Sequence, residues 1–133
     1  MPTRFKRIPD WTSNREELAW AAGFCDGEGS FHVDLKGFKR GKRGKPNPRF
    51  EIGQIEPFIL ERFRAAVGFA NPINGPYNNT KNDAKRPAAP AFVYGVSGFE
   101  NVQMLLILLW PWLGPTKREQ ALRTLNRVRE AYI

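Results

Sequence analysis

The chain has 133 residues and a formal net charge of +8, and its 41% hydrophobic content predicts one globular domain, 1–133, rather than a disordered chain. The longest apolar run, Met104 to Trp110, is too short to span a membrane. The single cysteine, Cys25, excludes an internal disulfide and fits a reducing intracellular compartment, such as a bacterial or phage cytoplasm or an organelle.

The first element predicted is a helix from Ser13 to Asp26, which follows an N-terminal arm, 1–12. Ser13-x-x-Glu16 has the pattern of a capping box, in which each side chain satisfies a free donor of the first turn. The helix is apolar on nearly all sides, and this predicts burial on more than one face.

Two strands are predicted next, Ser30 to Lys36 and Arg49 to Ile55, because apolar and polar side chains alternate in both. One face of each strand is apolar and belongs to the core. The other face is directed to solvent or to a ligand, and it carries His32, Asp34, Lys36, Arg49 and Glu51.

The segment between these strands, 37–48, is predicted to be a basic loop. Its glycines and prolines exclude a helix interior and a central strand. We expect it to contact phosphates through Lys39, Arg40, Lys42, Arg43 and Lys45. A solvated loop or a localisation signal is the alternative for this run alone. A second basic loop, 78–90, favours nucleic acid as the partner, and we expect neither a membrane nor a small-molecule substrate.

The remaining elements follow from apolar spacing and from proline and glycine positions. They are a helix from Pro57 to Gly68, an extended piece around Tyr77, a strand from Ala91 to Ser97, a helix ending before Pro111, and a last helix starting at the capping box Thr116-x-x-Glu119. Leu122, Leu125 and Val128 form the predicted apolar stripe of that last helix. The order αββαββα with an extra C-terminal helix predicts an α+β fold, with helices on one face of a curved antiparallel sheet.

The end of the first helix carries the pattern with the most chemistry. Ala19, Gly23 and Gly27 are spaced by four residues, so they form a ridge almost without side chains that allows close approach of another helix. Asp26 and Glu28 follow this ridge. Two such helices packed side by side would bring their carboxylates together, and a cation between them would relieve the repulsion. A helix end running into a turn is the alternative interpretation of these residues alone.

The segment AAGFCDGEGSF, residues 21–31, resembles the LAGLIDADG motif of homing endonucleases. FEIGQIEP, residues 50–57, resembles the second strand and its turn, and WPWLGPTKREQA, residues 110–121, resembles the connection between the last two helices. The similarity therefore spans nearly the whole chain. It implies a homing endonuclease, or meganuclease, that hydrolyses phosphodiester bonds in a long near-palindromic double-stranded DNA target with a divalent metal.

The resemblance also implies site residues. Glu28 matches the last acid of the motif, which binds Mg²⁺ (replaceable by Mn²⁺ or Ca²⁺), and the Gly27 carbonyl completes that metal site. Asp26 matches the first acid, whose role is more structural. Gln54 matches a polar residue that orders water near the metal, although the parity of its strand then requires a bulge or a strand end. Lys117 matches a basic residue that stabilises charge at the cleaved phosphate.

The single copy of the motif implies a homodimer, with an interface made by Ala19, Ala22, Gly23 and Asp26. In this family the sheet lies in the DNA major groove, where the outward side chains read base edges. The chain departs from the family at Phe58, near which some members have a further basic active-site residue.

Two other functions are compatible with the sequence. One is a non-cleaving nucleic-acid-binding protein of the same fold, an RNA maturase or a transcriptional regulator; the intact acid Glu28 favours the enzyme. The other is a small basic protein that binds nucleic acid nonspecifically; the outward carboxylates of Asp34 and Glu51 argue against it. For His32 an ordinary exposed position remains the alternative to base contact, and Cys25 is predicted to be a core residue rather than a nucleophile.

Overall fold

The computed structural model describes residues 7–35, 46–77 and 91–132. Its elements are α1 Arg15–Glu28, β1 Gly29–Asp34, β2 Asn47–Gln54, α2 Pro57–Val67, β3 Ile73–Tyr77, β4 Ala91–Ser97, α3 Phe99–Leu109, a 3₁₀ turn Trp110–Trp112, and α4 Pro115–Glu130. The predicted αββαββα order with an extra C-terminal helix is confirmed. The second basic loop and the predicted phosphate contacts Lys39, Arg40, Lys42, Arg43 and Lys45 lie outside the described residues, and so does Lys36, which was predicted on the polar face of the first strand.

The four strands form one antiparallel sheet in the order β1-β2-β4-β3. Alternate side chains of its three longer strands are buried on one face, and these are Phe31, Phe50, Ile52, Tyr94 and Val96. They form a single core cluster with buried side chains from all four helices. The helices therefore cover one face of the sheet, and the polar residues of β1 and β2 lie on the other face.

Strand β2 starts earlier than the sequence predicts, so the segment assigned to the basic loop is too long by Asn47 and Pro48. Proline is tolerated here because it sits at the end of the β2–β4 ladder, whose paired register begins at Arg49. The Pro48 carbonyl still accepts a hydrogen bond of 3.1 Å from the Gly98 N–H. Its missing N–H therefore removes no bond from the interior of the sheet.

Both predicted capping boxes are wrong. The first helix is capped by Asn14, whose side chain accepts a hydrogen bond of 3.1 Å from the Glu17 N–H, one residue further along than predicted. The last helix begins at Pro115 with Gly114 as its N-cap, which makes no side-chain cap hydrogen bond. Proline is well suited to this first helical position, because its missing N–H would have no partner there.

The buried stripe of α4 also differs from the prediction. Leu122 is 44% exposed, whereas Leu125 and Val128 are buried as expected. The other buried residues of the stripe are Ala121 and Thr124, so the stripe passes through Ala121 rather than through its neighbour Leu122. Leu122 therefore lies on the side of α4 that is turned away from the core.

The described part of the N-terminal arm is bound to the C-terminal end of α2. The Ile8 N–H donates to the Gly68 carbonyl at 2.9 Å, and the Trp11 indole N–H donates to the Ala65 carbonyl at 2.8 Å. The Arg7 guanidinium lies 4.4 Å from the ring centroids of both Trp11 and Phe69. These contacts join residues 7–11 to the body of the fold.

Candidate active site and nucleic-acid interface

The small-residue ridge of α1 is open on its outer side. A Cβ atom added at Gly23 or at Gly27 would meet no atom of the described residues within 4 Å. Ala19, on the same face, is half-buried. The predicted interface residue Ala22, however, is 0% exposed and packs in the chain's own core, so its assignment to the dimer interface is wrong. Consecutive residues of a helix are rotated by about 100° around its axis, so Ala22 faces the core while its neighbour Gly23 lies on the open ridge.

Glu28 closes α1 and is exposed. Within the described part of the chain its carboxylate has no hydrogen bond or salt bridge. The last carbonyls of a helix have no N–H donor within the helix. If α1 continued, the N–H of Phe31 would donate to the Gly27 carbonyl. That N–H donates instead to the side-chain oxygen of Gln120 at 3.0 Å. A carboxylate and a backbone carbonyl are thus both available at this end of α1.

The ends of α1 and α4 exchange charged contacts. The Asp26 carboxylate accepts the Gly114 N–H at 3.0 and 3.1 Å, at the start of α4. In return the Lys117 ammonium donates to the Gly29 carbonyl at 2.6 Å, just after α1. The last turn of α1 has no basic residue and the first turn of α4 no acidic one, so each helix receives the charge that suits its dipole from the other.

Two predicted catalytic residues, Asp26 and Lys117, take part in these contacts. The Asp26 carboxylate is engaged by the backbone of α4. Lys117 lies beside Glu28, since it binds the carbonyl of the next residue. The structure therefore brings Asp26, Glu28 and Lys117 to one end of the molecule.

Gln54 is the last residue of β2, and its register with Phe92 is regular, so a strand end rather than a bulge accounts for its position. Two residues before it, Ile52 is paired with Gly29, so Gln54 lies at the end of the sheet where α1 meets β1. Sequence reasoning missed Gln120, which binds the free edge of β1. Nothing local marks such a residue, because its partner is 89 residues away along the chain.

The outer face of the sheet carries the predicted polar set. His32, Asp34, Arg49 and Glu51 are half-buried and share this face. One oxygen of Glu51, Oε1, lies 3.2 Å from His32 Nε2 and 3.5 Å from Arg49 Nε. The four residues line a concavity of about 620 Å³, together with Val33, Leu35 and Tyr77. Tyr77 was not predicted as a site residue, although an aromatic side chain next to a basic loop is a usable signal.

The sequence predicts no nucleophile at Cys25 and shows no basic residue at Phe58. Cys25 is fully buried in the core, and this burial raises the pKa of its thiol to about 12, so the prediction of a core residue is confirmed. Phe58 is 69% exposed at the start of α2, and it supplies no charge there.

The metal-ligand set of one chain is small. Across residues 7–35, 46–77 and 91–132, no group of three or more His, Cys, Asp or Glu side chains is placed to hold a metal ion. Glu28 and the Gly27 carbonyl offer oxygen ligands, the type that Mg²⁺ prefers, but they make only part of a coordination shell.

None of the helices in the described regions combines the length and the apolar composition needed to cross a bilayer.

No profile of a known protein family and no curated protein matches the sequence. Solved structures do match. The homing endonuclease I-CvuI, in complex with its target in the presence of Ca, has a TM-score of 0.63 and 21% identity, covering 89% of this chain and 69% of that one. The archaeal intron-encoded homing endonuclease I-Vdi141I, complexed with DNA, has a TM-score of 0.61 and 25% identity, covering 86% and 67%.

The LAGLIDADG homing endonuclease I-GzeII, in complex with its DNA target, has a TM-score of 0.61 and 19% identity. The match covers 90% of this chain but only 37% of I-GzeII. The resemblance drawn from the motif and from the element order is confirmed by these structures: the chain has the fold of the LAGLIDADG homing endonucleases.

Proposed function

We propose that the protein is a site-specific double-strand DNA endonuclease that acts as a homodimer with a divalent metal. The observation that carries this proposal is on α1, where the Glu28 carboxylate, which has no hydrogen-bond or salt-bridge partner among the described residues, follows the open Gly23–Gly27 ridge. Helices without side chains at their contact approach closely, and a two-fold axis along the ridge brings a second Glu28 near the first. One chain then contributes half of each shared site.

The metal would be held by Glu28 carboxylates and Gly27 carbonyls of both copies. When bound, Mg²⁺ supplies a Lewis acid and an activated water for phosphodiester hydrolysis. The negative end of the α1 dipole favours a cation at this position. Within the chain, Asp26 and Lys117 hold the end of α1 against α4, and so determine where the Glu28 carboxylate stands.

DNA as the substrate is supported by the net charge, by the polar side chains on the outer face of the sheet and by the structural neighbours. The net charge of +8 suits a polyanion. The outer face of the sheet offers donors and acceptors of both signs, His32, Arg49 and Glu51, of the kind that read base edges in the major groove. I-CvuI and I-Vdi141I were solved with DNA. The match covers only 37% of I-GzeII, so that chain is long enough to contain a second unit of this size. This length agrees with a dimer of the present chain.

The test is a cleavage selection from a randomised double-stranded DNA library with Mg²⁺, in which wild type is compared with Glu28→Gln. The matched control is Glu16→Gln, another exposed carboxylate on the same helix but at its opposite end. Wild type and the control are expected to cut one long, near-palindromic site. Glu28→Gln is expected to bind that site without cutting it.

Two outcomes would contradict the proposal. If wild type selects a DNA sequence but does not cut it, the protein is a non-cleaving regulator or maturase of the same fold. If it selects no DNA sequence, RNA becomes the substrate to test.

A further inference from the structure

Arg49 lies over Gly95 on the outer face of the sheet. Gly95 is opposite Glu51 in the β2–β4 register, and its neighbours Tyr94 and Val96 are buried on the other face. A Cβ atom at position 95 would come within 2.6 Å of Arg49 Nη2 and 3.1 Å of its Cζ. Any side chain at this position would therefore displace the Arg49 guanidinium.

A glycine inside a strand weakens the strand, because it adds conformational entropy to the unfolded chain and packs no side chain. Such a glycine commonly marks a place where another group approaches closely. Here that group is a cation on the face that we propose meets DNA. Glu51 restrains the same cation from its Nε edge, at 3.5 Å. Arg49 is thus positioned from below by Gly95 and from the side by Glu51.

We infer that Gly95 is a specificity-determining positioning residue, which lets Arg49 lie along the sheet and bind a guanine of the target. This inference rests on the proposed function. With its Nε edge turned to Glu51, Arg49 retains its two Nη groups, which suit the O6 and N7 acceptors of guanine in the major groove. The target would then contain a G·C pair at one symmetric position of each half-site.

The experiment is the same library selection, carried out with Gly95→Ala and Arg49→Gln. The matched control is Gly53→Ala, which also lies on the outer face, but where a Cβ atom has ordinary contacts at 3.4 and 3.8 Å. Wild type is expected to prefer guanine at one position of each half-site. Gly95→Ala and Arg49→Gln are expected to lose that preference by about 10-fold or more at that position alone, as for the loss of a bidentate pair. Gly53→Ala is expected to keep it.

A double variant distinguishes positioning from a general weakening of the strand. Because Gly95 is argued to act through Arg49, Gly95→Ala should change nothing further in an Arg49→Gln background. Additive effects of the two substitutions, or an unchanged guanine preference in Gly95→Ala, would overturn this inference while the endonuclease remains. A wild type that selects no DNA sequence would instead overturn the proposed function, and the inference with it.

Discussion

The Lys117 ammonium group hydrogen-bonds the Gly29 carbonyl at 2.6 Å, and it thereby joins the first turn of α4 to the residue that follows α1. Asp26 makes the reverse connection, from α1 to the backbone of Gly114. Glu28 lies between these two attachments. Its backbone is consequently held on both sides, while its carboxylate makes no hydrogen bond or salt bridge with the part of the chain that the structure describes.

Replacement of Lys117 by methionine should lower the free energy of unfolding by about 1–2 kcal/mol, because a half-buried carbonyl loses a charged donor. The control is Arg123→Met on the same helix, which removes an exposed ion pair with Glu119 and should cost no more than about 0.5 kcal/mol. Urea unfolding followed by tryptophan fluorescence measures both. Equal stabilities of the two variants would show that the Lys117 contact contributes nothing to the fold.

Asp26→Ala should destabilise the protein by about 1 kcal/mol, since the start of α4 loses both an acceptor and a favourable negative charge. Asp26→Asn retains an acceptor oxygen and should lose less. Glu61→Ala serves as the control, because Glu61 is an exposed acid on α2. In urea unfolding the midpoint is expected to decrease in the order wild type, Asp26→Asn, Asp26→Ala. A midpoint of Asp26→Ala equal to that of Glu61→Ala would exclude the structural role of Asp26.

Gly23→Leu should convert the proposed dimer to a monomer and abolish cleavage, because the leucine side chain would occupy the open space through which a second helix approaches. Asn126→Leu adds the same side chain to an exposed position of α4 and should leave the dimer intact. Light scattering at micromolar concentration measures the mass. A Gly23→Leu protein that stays dimeric and fully active would mean that another surface forms the interface.

The free energy of unfolding should decrease at alkaline pH because of the buried thiol of Cys25. Burial raises the pKa of its thiol from 9.0 to about 12, so between these values the unfolded chain loses a proton that the folded protein keeps. The contribution to stability is complete below about pH 9 and decreases as the pH rises, with a slope of at most about 1.4 kcal/mol per pH unit. The free energy of unfolding of wild type minus that of Cys25→Ala, followed from pH 8 upward, isolates this effect; parallel curves would disprove it.

Gly68→Ala should destabilise the protein by about 2 kcal/mol or more. Gly68 has a φ of +79°, and a Cβ atom there would lie 2.5 Å from Trp11 Cδ2. The substitution would disturb both the backbone conformation at position 68 and the packing of the N-terminal arm against this end of α2. Gly53→Ala, with ordinary contacts for its Cβ atom, should unfold close to wild type in the same thermal scan. Similar midpoints for the two variants would refute the clash.

The order of the elements and the polar face of β1 and β2 were predictable from the sequence alone. Alternation in a strand and the four-residue spacing of Ala19, Gly23 and Gly27 are local patterns, and a chain that buries one face must follow them. The strand Ala91 to Ser97 has the predicted bounds for this reason. The motif around Glu28 was equally visible, because its residues are consecutive.

Only the tertiary structure decided which contacts those elements make. It placed Ala22 in the chain's own core and left Gly23 open, although the two residues are adjacent. It also brought Gln120 to the edge of β1, Lys117 to Gly29, and Arg49 over Gly95. Such pairs are distant in sequence and form only when strands and helices pack, so no local pattern records them. The sequence by itself thus determined the elements and the motif, and packing determined how the site is held.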